Sequence, residues 1–115
     1  MSQSHVVIFP GGGEGTFESL DSARSLCLRY MIFSKPQITM LEILTPNGDI
    51  LTVKFPDEYF YTKGVKDIIY CFTLEEARRA AFCTLNMLGN WIREYRIYNS
   101  NNEVVEILPG KNDFN

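Results

Sequence analysis

The sequence predicts an α+β fold of two βαββ halves, in which two helices pack on an antiparallel-dominated sheet. Three observations predict this class. Two stretches have the apolar spacing and the end signals of amphipathic helices. Each of them is followed by two strand-like stretches with a turn signal between them. Residues 19–53 also lie over residues 73–107 without a gap, at a constant offset of 54 positions, which indicates an internal pseudo-repeat.

The pseudo-repeat depends on few identical residues. Six positions of the 35 aligned are identical, and they are the pairs Leu20/Leu74, Ala23/Ala77, Arg24/Arg78, Ile38/Ile92, Ile43/Ile97 and Asn47/Asn101. The helix start, the apolar helix stripe and the hairpin turn keep the same register, which favours a true repeat. The alternative is that two generic helix-hairpin units happen to have equal length.

The first half is expected to span about residues 5–56. A loose tail at residues 1–4 precedes a short buried strand over residues 6–9. A helix over residues 20–33 follows the Gly-rich segment and is stopped by Pro36. Strands over 38–45 and 49–55 are joined by Pro46-Asn47-Gly48, which is a hairpin signal.

The second half is expected over about residues 66–108, after a linker over 57–65 that could contain a short edge strand. A strand over 67–72 leads into a helix over 73–89. Thr73 and Glu76 form a capping box at its start, and Gly89 tolerates the left-handed turn that ends it. Strands over 91–98 and 103–108 form the second hairpin, and residues 109–115 are a polar tail.

Composition predicts one soluble domain over residues 1–115. Apolar residues make up 45% of the chain and charged residues 22%, which is ordinary for globular proteins. A net charge of −3 gives no long-range attraction to nucleic acid or to anionic membranes, and neither a signal peptide nor a membrane span is found. Three cysteines without C-x-x-C spacing predict no disulfide framework and favour a reducing, cytoplasmic setting.

Helix 1 carries a second apolar face that the repeat does not require. Leu26, Tyr30 and Phe33 lie at spacings of four and three residues, away from the inner stripe. Such a face is unlikely to be left bare, because burying large apolar side chains is strongly favourable. Two alternatives stay open: the Gly-rich loop or the aromatic linker covers the face, or the face is a homodimer or partner interface. The linker residues Tyr59, Phe60 and Tyr61 form a second candidate patch.

The leading functional hypothesis is a small non-catalytic protein-binding module that acts through this helix face. Tyr and Phe are suitable anchors because they bury a large area with few rotatable bonds. An inhibitor or regulator, such as a phage-system or toxin-system protein, is one expected setting for so compact and acidic a chain. The expected partner is a protein or a second copy of the chain. No catalytic residue, metal or cofactor is assigned.

The alternative hypothesis is a phosphate or nucleotide binder that uses the Gly-rich loop. The expected ligand-binding residues are Gly11, Gly12, Gly13, Gly15 and Thr16. A loop between a strand and a helix can present backbone amides to a phosphate. The P-loop lysine is replaced by Glu14, however, and G-x-G-x-x-G fails at Thr16. A surface loop is therefore the favoured interpretation.

Two further groups of residues give weak functional signals. His5 could meet Cys71 if their strands were neighbours, but no third residue would orient such a pair. Basic residues near Tyr95 and Tyr98 could suggest single-stranded nucleic acid binding. Alternation places those two rings on opposite faces, and neighbouring glutamates dilute the positive field. Nucleic acid is therefore an improbable partner.

The order and length of the two halves resemble the paired βαβββ modules of the glyoxalase and bleomycin-resistance superfamily. The resemblance implies a metal-dependent enzyme with ligands on the first and last strands of the modules. Only His5 on the first strand and Glu106 on the final strand could match such ligands. The second module has no histidine and lacks a closing strand, so the resemblance covers architecture and no motif.

Overall fold

The computed structural model describes residues 4–64, 66–88 and 94–109. The chain divides into two compact units, Met1–Pro56 and Asp57–Asn115. Each unit contains one helix and one four-stranded antiparallel sheet. The predicted α+β class and its two halves are confirmed, and the boundary falls where the first repeat was expected to end. That the two units make one domain stays a prediction.

The first unit has the element order ββαββ. Its sheet has the strand order β2-β1-β3-β4, and every neighbouring pair is antiparallel. Its elements are β1 (His5–Ile8), β2 (Glu14–Phe17), α1 (Leu20–Phe33), β3 (Met40–Leu44) and β4 (Ile50–Lys54).

The second unit repeats this order with the equivalent strand arrangement β6-β5-β7-β8. Its elements are β5 (Phe60–Lys63), β6 (Ile68–Cys71), α2 (Leu74–Leu88), β7 (Glu94–Asn99) and β8 (Val104–Pro109). The predicted helix end at Gly89, the start of the following strand and the tail beyond Pro109 lie outside the described residues.

The structure corrects two details of the predicted organisation. Each half has its own sheet, whereas one sheet was expected to carry both helices. Each half also begins with a hairpin, which adds one strand to the predicted βαββ order and gives ββαββ. The additional strands are β2, which lies in the Gly-rich segment, and β5, which lies in the expected linker. β5 is an inner strand between β6 and β7 and not the edge strand that was considered.

Strand register confirms the internal repeat. Val7 faces Gly15 and Ile43 in the first sheet, and Thr62 faces Ile69 and Ile97 in the second. These are equivalent positions of the two units. Because strand order and register both agree, the alternative of two unrelated units of equal length is not supported.

One irregularity of strand pairing distinguishes the second sheet from the first. The pairing of β7 with β8 shifts register between Ile97 and Tyr98, as a β-bulge does. After this shift, the β8 side chains that face α2 are not those whose β4 counterparts face α1. Ile107 is exposed, although its counterpart Val53 is buried, and Leu108 packs against the core in its place.

Each core lies between a helix and one face of its sheet. Helix residues at positions 23, 27, 28 and 31 are buried in the first unit, and those at 77, 81 and 85 in the second. Ala23 and Ala77 are completely buried, and their small side chains let each helix lie close to its sheet. Helix starts are fixed as predicted: the Ser19 hydroxyl accepts from Ser22 N at 3.1 Å. The Glu76 amide donates to Thr73 Oγ1 at 3.1 Å, and the Glu76 carboxylate accepts from Thr73 N at 3.1 Å.

The outer face of α2 carries exposed apolar side chains. Met87 is exposed there, and Phe82 has 62% of its surface exposed. Its repeat counterpart, Leu28, is completely buried. The two helices therefore differ in which flank each presents to solvent.

Candidate protein-binding groove and tyrosine surface

The three predicted interface residues of helix 1 lie together in one open groove. The groove, here called the α1 groove, has a volume of about 580 Å³. The last two turns of α1 and the loop that leads to β3 form its walls. Its lining residues are Leu26, Arg29, Tyr30, Phe33, Ser34, Lys35, Pro36 and Ile38.

Hydrogen bonds at the end of α1 hold the loop wall of the groove in place. Ser34 leaves the helical conformation, with φ −74° and ψ 146°. Its hydroxyl donates to the Met31 carbonyl at 3.0 Å and accepts from the Ile38 amide at 2.8 Å. The same side chain thus satisfies a carbonyl of the last helical turn and ties down the far end of the loop. The groove is therefore formed before any ligand enters it.

The floor of the α1 groove remains accessible to solvent. Tyr30 is 38% exposed and Phe33 is 62% exposed. The ring of Phe9 packs on Tyr30 with centroids 4.8 Å apart and planes at 47°. Phe9, which directly precedes the Gly-rich segment, thus covers part of this face. Phe33 keeps most of its surface open.

The charged residues that line the α1 groove are both cationic. Arg29 comes from α1 and Lys35 from the loop, and no Asp or Glu belongs to the lining. Within the part of the chain that the structure describes, Lys35 forms no hydrogen bond or ion pair. The groove therefore combines an apolar floor with positive charge, although the chain as a whole carries a net charge of −3.

The second predicted patch is divided by the sheet. Phe60 is partly buried and packs against the core of the second unit. Its neighbour Tyr61 points to the opposite face, because successive strand side chains alternate. Tyr61 stacks on Tyr98 with centroids 5.0 Å apart and planes at 11°. Its hydroxyl donates to Asn102 Oδ1 at 2.7 Å.

Two tyrosines that sequence reasoning did not place there complete this patch. Tyr70 lies 6.0 Å from both Tyr59 and Tyr61, centroid to centroid. Tyr59, Tyr61, Tyr70 and Tyr98 together form what is here called the tyrosine surface, on the face of the second sheet away from α2. Partial burial, with Tyr98 and Tyr59 nearby, raises the pKa of the Tyr61 hydroxyl. Period-two alternation along β5, β6 and β7 would have found the set if β5 had been recognised as a strand.

The Gly-rich loop is not the strand-to-helix connection that was predicted. It is the turn of the β1–β2 hairpin, and Gly15 and Thr16 belong to β2. Gly11 and Gly12 adopt φ values of 90° and 97°, which residues other than glycine rarely adopt. The Gly12 amide donates to the Phe9 carbonyl at 3.2 Å. Turn geometry thus accounts for these glycines, and the phosphate hypothesis loses the helix end on which it depended.

The remaining candidate groups are not brought together in one site. His5 and Cys71 lie in different sheets, so the strand pairing considered for them does not occur. The Glu106 carboxylate accepts from Arg78 at 2.7–3.0 Å, and this contact lowers the pKa of Glu106. Among the described residues, no group of three or more His, Cys, Asp or Glu side chains could hold a metal ion. The ββαββ order also differs from the βαβββ modules of the glyoxalase superfamily.

Arg96, one of the basic residues near Tyr95 and Tyr98, is engaged by a carboxylate. Its guanidinium donates to Glu94 at 2.7 Å, and this contact raises the pKa of Arg96. Comparison with protein-family models, curated proteins and solved structures finds no match to this chain. None of the described helices is both long enough and apolar enough to cross a membrane.

Proposed function

We propose that this chain is a non-catalytic protein-binding module that holds a segment of a partner protein in the α1 groove. The observation that supports the proposal is the juxtaposition of Leu26, Tyr30 and Phe33 in one preformed, open groove. Preformed apolar pockets lose less conformational entropy when a ligand binds than mobile surfaces do.

The exposed rings supply the binding energy. Full burial of a large apolar side chain contributes roughly 1.5–3 kcal/mol. Phe33 is 62% exposed and Tyr30 is 38% exposed, so Phe33 has the larger gain to make when a partner covers it. Aromatic residues in a pocket are also the usual energetic centres of protein interfaces.

Inhibition or regulation of the partner is the activity that such a module would perform, by occupying a surface the partner needs. A cytoplasmic setting belongs to the same proposal. It is supported by the cysteines, because Cys27 and Cys71 are thiols buried in the cores. The partner could be a different protein or a second copy of the chain, and light scattering separates these cases.

A pair of equally exposed phenylalanines gives a matched test. Phe33 in the α1 groove and Phe82 on α2 are both 62% exposed. Peptides are selected from a random displayed library on the full chain, and their affinities for Phe33→Glu and Phe82→Glu are measured by fluorescence anisotropy. We expect binding to be lost with Phe33→Glu and retained with Phe82→Glu, while both variants keep the melting temperature of the parent chain.

The proposal fails if no selected peptide distinguishes the two variants. Self-association is examined in the same variants by light scattering. A dimer that dissociates only with Phe33→Glu identifies the second copy as the occupant of the groove.

A further inference from the structure

We infer that the α1 groove is selective for an acidic protein segment that carries one large apolar side chain. This inference rests on the proposed function and specifies the chemistry of its ligand. It follows from the charge and from the volume of the groove.

The charge argument begins with the lining residues. Arg29 and Lys35 line the groove, no carboxylate does, and the Lys35 ammonium forms no ion pair within the described chain. A ligand carboxylate beside Lys35 would complement a charge that now faces solvent. A basic ligand segment would instead bring like charges together at the same place, which lowers its affinity.

The overall charge of the chain does not oppose this selection. A net charge of −3 repels an acidic segment only at long range. Exposed charges separated by more than about 8 Å are largely screened at physiological ionic strength. At contact distance, the ligand meets the positive charge of Lys35, which forms no ion pair within the described chain.

The volume argument specifies the rest of the ligand. The groove holds about 580 Å³, within the roughly 300–1,000 Å³ typical of ligand pockets. Leu26, Tyr30 and Phe33 offer apolar walls, and the Ser34 hydroxyl is already engaged by Met31 and Ile38. The floor therefore favours an aliphatic or aromatic side chain over a polar one. An apolar anchor with neighbouring Asp or Glu residues satisfies both requirements.

The test uses the peptides selected on the full chain and begins with their composition. We expect the clones that depend on Phe33 to be rich in Asp and Glu around one Leu, Phe or Trp. Lys35→Glu should weaken these peptides roughly 3- to 10-fold, since a single exposed charge contact is worth up to about 1 kcal/mol and its reversal adds repulsion. Lys54→Glu is the matched control, because Lys54 is an exposed lysine on β4 of the same unit, and it should leave the affinity unchanged.

Salt dependence supplies a readout that does not require a variant. Binding of the acidic peptides should weaken as sodium chloride is raised, and replacing their Asp and Glu by Asn and Gln should abolish that dependence. Groove-dependent peptides that are neutral or basic, or that bind independently of salt, would overturn the charge inference and leave the proposed function standing. If no peptide depends on Phe33, the proposed function fails, and this inference fails with it.

Discussion

The buried hydroxyl of Tyr95 gives the sharpest test of the second core. Tyr95 is 6% exposed, and within the described residues its hydroxyl has no hydrogen-bond partner. A buried polar group without a partner costs about 1–3 kcal/mol. Tyr95→Phe removes this group and keeps the ring that packs beneath α2. We therefore expect the free energy of unfolding to rise by about 1 kcal/mol, the lower end of that range.

The assay is urea denaturation followed by tryptophan fluorescence. Trp91 is the only tryptophan and belongs to the sequence of the second unit, so its emission reports that unit. A gain of about 1 kcal/mol raises the melting temperature by roughly 4–8 °C for a small domain. The matched control is Tyr61→Phe, which deletes a hydroxyl that donates to Asn102 at 2.7 Å. That change should lower stability by about 0.5–1.5 kcal/mol.

If Tyr95→Phe raises the free energy of unfolding and Tyr61→Phe lowers it, the hydrogen bonding of the deleted hydroxyl decides the change in stability. The reasoning is refuted if Tyr95→Phe is less stable than the parent chain by more than about 0.5 kcal/mol.

Two further predictions concern the thiols and the principal ion pair. Ellman's reagent should modify one thiol quickly in the folded chain and three in urea, since Cys83 is exposed while Cys27 and Cys71 are buried. Burial raises the pKa of Cys27 to about 11, so fast reaction of a second thiol would contradict the assigned burial. Arg78 lowers the pKa of Glu106 below its ordinary value of 4.5. The unfolded chain therefore binds more protons there, and the stabilisation is lost as the pH falls below about 4.5. Arg78→Gln should flatten that part of the pH profile of the urea midpoint, and an unchanged slope would show that the contact does not hold in solution.

The helices and both C-terminal hairpins could be predicted from sequence because their signals are local. The helix expected over residues 20–33 is observed as Leu20–Phe33, where capping, apolar spacing and Pro36 agree. The hairpin turn at Gly48, with φ 91°, could be predicted from sequence in the same way. Such elements are specified by residues only a few positions apart.

The first strand pair of each unit could not be read in the same way. β2 is Glu-Gly-Thr-Phe, and glycine in a strand is a signal for loops rather than strands. β5 contains adjacent aromatic residues. Alternation predicts which of them face the core only after the segment has been recognised as a strand. The offset of 54 would have helped if extended upstream, since it places β6 on β2.

The candidate site was predictable on its helical side only. Leu26, Tyr30 and Phe33 follow from helical periodicity, and they lie together in the α1 groove. The loop wall depends on Ser34 bonding to both Met31 and Ile38. The helical spacing of apolar residues does not predict these two hydrogen bonds. The partial burial of Phe60 could not be predicted for a similar reason, because it depends on which face of β5 packs under α2.

The bulge in the second sheet gives the two units different vulnerability to intermolecular strand addition. β4 and β8 occupy equivalent outer positions, and an outer strand offers unpaired backbone groups to any passing extended chain. β8 is distorted where its register shifts between Ile97 and Tyr98 and ends at Pro109, which has no amide hydrogen to donate. β4 pairs regularly along Ile50–Lys54 and exposes Ile50. Of these two outer strands, β4 should therefore be the better template for an added strand, because the register shift places one additional residue in β8.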